Sequence, residues 1–366
     1  MLRRSLNLAR RRQALAFTAL ALTAALVGGC KPSAAQRAVA NTVVGVGATF
    51  PAQLYTRWAA DWRPVSGVSV NYQGTGSGGG IEQILAKAVD FGASDEPLTP
   101  ARLDQAGLYQ FPTVIGGVTP VVNIPGVGPG QLKLDGGLLS DIYLGRVTRW
   151  NDPRIVALNP GLNLPASPIV VVHRAIASGT TYLFTAYLSA VSPTWKAKVG
   201  AGDVVAWPTG VADRGNGGVT ASVQQTGGAI GYVAYAYVRT GNLAYVQLQD
   251  HDGAFVAPRA DAFAAAAKDV DWGKAAGNAV LLVDQPGTGA WPITGATYIL
   301  IHRQPPNPKK TRQVLAFFDW AYRNGDASAA SLGYAPLPQA VKDLMRRQWA
   351  ASIRGADGQP LFKPAS

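Results

Sequence analysis

Residues 71–84 read "NYQGTGSGGGIEQI". A strand-like run ends here and a helix-like run begins, and the join carries five glycines and one serine. Such a join is either a flexible linker or a binding turn. A helix N-terminus offers backbone N–H groups and the positive end of a dipole, and glycine lets an anion approach that backbone closely.

Outward from this stretch the same alternation continues. "TVVGVG" leads into "PAQLYTRWAADW", "VSVNYQ" into "GGIEQILAKAV", and further on "PIVVVHR" (168–174) precedes a helix from about Thr180 to Ala190. Short apolar strands alternating with amphipathic helices predict an α/β sheet. Around residues 114–124, "VIGGVTPVVNIPG" is apolar but carries Gly116, Gly117 and Pro120, and reads as an extended segment crossing between two bodies, not as a regular strand inside one. A second crossing near 296–302 makes the first body discontinuous. The tail helices, 312–325 and 338–350, then pack onto that first body. The expected organisation is lobe 1 from 42–119 plus 297–366, and lobe 2 from 120–296.

The 366 residues suffice for two such bodies, and 15% charged against 48% apolar residues excludes a disordered chain. Residues 1–29 stand apart. Five arginines precede an apolar stretch from Ala14 to Val27, followed by Gly28, Gly29 and Cys30, which is the pattern of an export signal. Cys30 is the only cysteine, so no disulfide forms within the chain, and "LVGGC" resembles a bacterial lipobox, which makes Cys30 a lipidation site and 30–41 a tether. The alternative is an ordinary signal peptide cut near "SAA" (33–35). Arg10, Arg11 and Arg12 also fit a twin-arginine signal. The signal takes five of the twelve net positive charges, leaving +7. Without a lysine or arginine cluster interleaved with aromatics, that excess suits attraction of a small anion or solubility, and not nucleic acid.

Three turns share one grammar. "GATFP" (47–51) places Thr49 and Phe50 before Pro51, "GTGSGGG" places Ser77 before a helical period, and "RAIASGTTYLF" (174–184) places Ser178, Gly179 and Thr180 at a helix start. Arg174 ends the strand before the third turn, where its fork suits two oxygens of one tetrahedral oxyanion. Asp95 closes "DFGASD". A carboxylate beside an anion site selects an oxyanion that keeps a proton, such as phosphate, and repels one that does not, such as sulfate. Each residue also has an ordinary structural reading: Ser77 and Ser178 as helix caps, Thr49 as a turn residue, Asp95 and Arg174 as members of ion pairs.

Rival motifs fail. "GVGATFP" has Phe50 where a dinucleotide fingerprint needs a third glycine, the Gly-Ser loop lacks a P-loop ending, and no serine sits in G-x-S-x-G. His173, His251 and His302 are scattered, so no zinc site and no cofactor are expected. "QDHDG" (249–253) reads as a hairpin turn.

With these residues in hand, the sequence resembles the bacterial phosphate-binding proteins of PstS type. The stretches "GVGATFPAQLYTRWA", "VNYQGTGSGGGIEQI", "DFGASDEPLT", "ASGTTYLFTAYL" and "GAIGYVAYAY" carry the likeness, which runs from about Val44 to Phe362. It implies a periplasmic-binding-protein-like (type II) fold, with two α/β lobes joined by two crossing strands and phosphate between them. It implies phosphate contacts from Thr49, Phe50, Ser77, Asp95, Arg174, Ser178, Gly179 and Thr180, with Phe50 acting through its backbone N–H. It further implies a monomeric receptor in the periplasm or cell envelope that serves the permease and ATPase subunits of an ABC-type phosphate importer and catalyses nothing. The alternatives are a secreted phosphatase and a receptor for another oxyanion. One position departs from the pattern: the family commonly has an aspartate two residues after the arginine, and here that residue is Ile176.

Overall fold

The computed structural model describes residues 41–364. The expected export signal, Cys30 and all of the tether except Asn41 lie outside the described residues. From Val43 onward the described chain is one compact unit.

Strands β1 (Thr42–Gly47), β2 (Ser69–Gly74), β3 (Phe91–Ser94), β4 (Leu108–Asn123), β5 (Lys133–Leu134), β6 (Val170–Arg174), β7 (Val211–Asp213), β8 (Ala229–Ala234), β9 (Ala244–Tyr245), β10 (Gln247–Gln249), β11 (Phe255–Val256) and β12 (Thr294–His302) are interleaved with helices. The helices that frame the site and the core are α1 (Ala52–Ser66), α2 (Ser77–Leu85), α3 (Gly179–Val191), α4 (Gly215–Gln225), α5 (Pro308–Asn324) and α6 (Gln339–Ser352). One sheet runs β2-β1-β3-β12-β4-β8-β6-β7, with β9 added beside β4. β1 and β3 pair in parallel, as do β6 with both β7 and β8, whereas β12 and β4 are antiparallel to their neighbours. β10 and β11 form the hairpin expected around "QDHDG".

The crossing segments differ from expectation. Residues 114–124 are not an irregular passage: up to Asn123 they belong to the 16-residue strand β4. β4 pairs with β12 from Leu108 to Gly117 and with β8 from Val118 to Asn123, so one strand serves two sets of neighbours. The glycines that argued against a strand make room for aromatic rings. A Cβ on Gly116 would stand 2.8 Å from the Phe50 ring, and one on Gly117 would stand 2.2 Å from the Phe263 ring. Pro120 removes one donor, yet its carbonyl still accepts from Val246 N at 3.0 Å.

All nine residues of β12 and all but the last of β4 are buried, which is why both read as nearly unbroken apolar runs. The tail helices cover this sheet. On α5 the Phe318 ring meets Tyr55, Phe91 and Phe111 edge-on at 5.4–5.7 Å, and Trp349 of α6 lies 4.7 Å from Phe111. Such tilted aromatic contacts add to simple area burial, so C-terminal residues complete the core begun by residues 43–117.

Candidate functional site

Ser77 opens α2 as its first helical residue, preceded by Gly76 at φ 107°, a backbone shape that favours glycine. The alternative reading of Ser77 as a helix cap therefore fails, since the cap position is Gly76. The buried Ser77 Oγ instead accepts from Gly179 N at 3.0 Å and from Asp95 N at 3.2 Å. Three residues distant in sequence thus converge on one oxygen. Two accepted bonds use both lone pairs, leaving the Ser77 O–H to donate. The approach is close because Gly80, one turn further along α2, lies against β1 and β3: a Cβ there would be 2.5 Å from Ala93 O and 2.7 Å from Gly47 Cα.

Ser178 is the N-cap of α3, and its Oγ accepts from Thr181 N at 3.3 Å. Thr180, on the same first turn, is 1% exposed. Thr49, in the turn between β1 and α1, accepts on Oγ1 from Asn216 Nδ2 at 2.8 Å and from Asn216 N at 3.4 Å. The Phe50 ring is fully buried against Tyr334, whose hydroxyl donates to the Phe50 carbonyl.

Arg174 ends β6 and is 4% exposed, yet none of its three guanidinium nitrogens has a hydrogen-bond partner within the protein. Its Nη2 lies 3.9 Å from the point a Cβ on Gly76 would occupy, and therefore beside the Ser77 turn. Burial holds the guanidinium pKa below its ordinary value, partly offset by Tyr232, Asp95 and Tyr237. Asp95 is 1% exposed, and Thr297 donates to its Oδ1 at 2.6 Å. Burial pushes the Asp95 carboxyl up to about 7, against the opposing pull of the Thr297 hydrogen bond and of Arg174. The ion-pair reading of both residues thus fails as a full account: they influence each other electrostatically without a direct salt bridge.

The predicted turns therefore meet in one place, around a buried cation and a buried carboxylate, with hydroxyl and backbone donors between them. A tetrahedral oxyanion satisfies such a set: the fork takes two oxygens and the hydroxyls donate to the others. Three contributors went unread in the sequence. Asn216 lies in "DRGNGGV" (213–219), which repeats the glycine-before-helix grammar and was legible as a fourth turn. Thr297 sits inside an apolar strand and left no signal. Tyr237, whose hydroxyl donates to Thr49 O at 3.0 Å, lies in a stretch that reads as helix and strand alone. Among the described residues, no group of three His, Cys, Asp or Glu gathers closely enough to hold a metal.

Comparison with known proteins agrees with this architecture. Residues 32–324 match the model of the PBP superfamily domain. The chain is 47% identical over 324 residues to the phosphate-binding protein PstS of Pasteurella multocida, covering 88% of this chain and 94% of that one. It is 48% identical over 317 residues to the PstS of Haemophilus influenzae, covering 87% and 95%. Among solved structures, a human phosphate binding apolipoprotein superposes with a TM-score of 0.72 at 23% identity, over 88% of this chain and all of that one. The phosphate binding protein of Stenotrophomonas maltophilia superposes with a TM-score of 0.69 at 20% identity, over 88% and 98%. The fold is accordingly that of the two-lobed periplasmic binding proteins, and by sequence the chain belongs to the PstS family of phosphate-binding proteins.

Proposed function

We propose that this protein is the extracytoplasmic receptor of an ABC-type importer, capturing inorganic phosphate between its lobes and presenting it to the permease and ATPase subunits. The observation that carries this reading is Arg174, whose guanidinium is buried without a hydrogen-bond partner. A stranded buried cation costs several kcal/mol, on the order of the penalty for breaking a buried pair, unless an anion completes its hydrogen bonds. Phosphate is the favoured anion because Asp95, when ionised, accepts a hydrogen bond from a protonated oxygen that sulfate lacks. The ligand set is Thr49, Phe50 through its N–H, Ser77, Asp95, Arg174, Ser178, Gly179 and Thr180. The neighbouring relatives are named as binding proteins, and in this reading the protein performs no catalysis.

The lobes divide at 42–119 plus 297–366 and at 120–296, a partition supported by the change of partner along β4 between Gly117 and Val118. Closure is a population shift toward the arrangement in which donors from both lobes reach one ligand. Residues 1–29 act as a lipoprotein-type export signal, Cys30 carries the lipid, and the monomer works in the periplasm or at the cell envelope. Calorimetric titration of the mature chain with phosphate tests the assignment. Tight, saturable heat is expected, and its absence at millimolar phosphate overturns it. Incorporation of labelled palmitate that disappears in Cys30→Ala tests the anchor.

A further inference from the structure

Asn216 is fully buried on the first turn of α4, and its backbone N–H and both ends of its side-chain amide are hydrogen-bonded. Its Oδ1 accepts from Ala234 N at 2.8 Å. Since a backbone N–H can only donate, this bond fixes which end of the side-chain amide is oxygen. The Nδ2 group then donates to Thr49 Oγ1 at 2.8 Å and to Thr180 Oγ1 at 3.4 Å, and the Asn216 backbone N–H donates to Thr49 Oγ1 at 3.4 Å. One amide thus ties the turn before α1 to the first turn of α3, 131 positions apart by residue number.

We infer that Asn216 is a positioning residue for the anion: its two N–H groups occupy both lone pairs of Thr49 Oγ1 and leave that hydroxyl to donate to the ligand, while its single, longer bond to Thr180 Oγ1 takes one lone pair and biases that hydroxyl the same way. An oxygen whose lone pairs receive N–H groups keeps only its own proton to offer. The same logic holds at Ser77, where two backbone N–H groups do what the amide does here. The site is thereby polarised so that its hydroxyls prefer an acceptor, the deprotonated oxygens of the anion, while Asp95 alone meets a protonated one. Asn216 also bears on closure, since its bonds to Thr49, in the other proposed lobe, form only when the two turns are close.

This inference rests on the phosphate reading above, and the test separates the two. Phosphate affinity is measured by calorimetry for the wild-type chain, Asn216→Ala, Thr49→Val, the double variant and Asn216→Asp, from pH 5 to 8. Asn216→Ala is expected to weaken binding about 10- to 100-fold, as two oriented donors are lost. In the Thr49→Val background the same change should cost several-fold less, because the hydroxyl it acts through is already gone. Asn216→Asp is nearly isosteric and still accepts from Ala234 N, but its second oxygen accepts where the amide donated. It should bind more weakly than Asn216→Ala at pH 8 and recover relative to wild type toward pH 5, as the new carboxyl gains a proton. Unchanged affinity, an additive cycle or an Asn216→Asp profile parallel to wild type overturns the inference while leaving the functional reading intact. A wild-type chain that binds no phosphate overturns both.

Discussion

Ser77 Oγ accepts the backbone N–H of Gly179 at 3.0 Å, across 102 positions of sequence. The contact forms only because Gly179 has no side chain. A Cβ there would lie 2.5 Å from Asp95 Cβ and 2.6 Å from Ser77 Oγ, closer than such atoms approach. Two halves of the candidate site are thus pressed together at a glycine.

Gly179→Ala should therefore hold the seam apart. Overpacking of this kind costs about 1–3 kcal/mol, which predicts a loss of roughly 5- to 150-fold in phosphate affinity. Gly179 is the first residue of α3 and does not adopt a positive φ, so alanine is tolerated locally. The melting temperature of the ligand-free protein should move little. Calorimetry with differential scanning on the same samples checks both, and an affinity equal to wild type would refute the packing argument.

Arg174 sets function against stability. Replacing it with methionine keeps most of its volume and removes a buried, unpartnered charge. Ligand-free Arg174→Met should melt at the wild-type temperature or above it, while phosphate binding falls by at least 3 kcal/mol, about 150-fold, because charged hydrogen bonds are lost. Thr49→Ala removes one neutral donor and should cost about 1 kcal/mol. Equal losses for the two variants would contradict the central place given to the guanidinium.

The sequence yielded the turns more readily than the strands between them. Thr49, Ser77, Ser178, Gly179 and Thr180 stand where local grammar puts a hydroxyl or glycine at a helix start, so short-range pattern sufficed to find them. The regular strand β4 was hidden, because Gly116 and Gly117 look like strand breakers until the rings of Phe50 and Phe263 fill the space above them. Thr297 was unreadable for a different reason: its role depends on Asp95, 202 positions away, meeting it across neighbouring strands. Of the two readings Ser77 allows, the helix cap fails: the cap position falls on Gly76, and the Ser77 hydroxyl instead accepts from Gly179 and Asp95.

Ile176 stands two residues after Arg174, at the start of the turn that leads to Ser178. It is 38% exposed, and its Cδ1 lies 3.6 Å from the same point beside Gly76 that Arg174 Nη2 approaches at 3.9 Å. Ile176→Asp places a carboxylate within reach of the guanidinium and partly neutralises it. Phosphate affinity should fall by several-fold at low ionic strength, with less effect at high salt. Discrimination between phosphate and sulfate should sharpen, as the site becomes less positive. Competition titrations at two salt concentrations measure both, and identical profiles for the two proteins would show that this position does not tune the site.

With Asp95 in the proposed site, both stability and selectivity are expected to depend on pH. Its carboxyl rises from 3.8 to about 7 on folding, chiefly through burial. Below pH 3.8 both folded and unfolded chains hold the proton, and this group imposes no penalty. Between about 4 and 7 only the unfolded chain releases it, so stability falls as pH rises, by about 2–4 kcal/mol for a shift of this size. Glu96, beside it, is also pushed up to about 7 by burial and by Asp203, with Arg102 opposing, and acts in the same direction. In phosphate-free buffer, Asp95→Asn should flatten the decline in melting temperature across this window. Selectivity follows the opposite course. Above pH 7 an ionised Asp95 repels sulfate, whereas a protonated Asp95 donates to it. Sulfate should therefore compete with phosphate better at pH 5.5 than at pH 8, and Asp95→Asn should compete similarly at both. Competition that does not change with pH in the wild-type protein would remove Asp95 from its selective role.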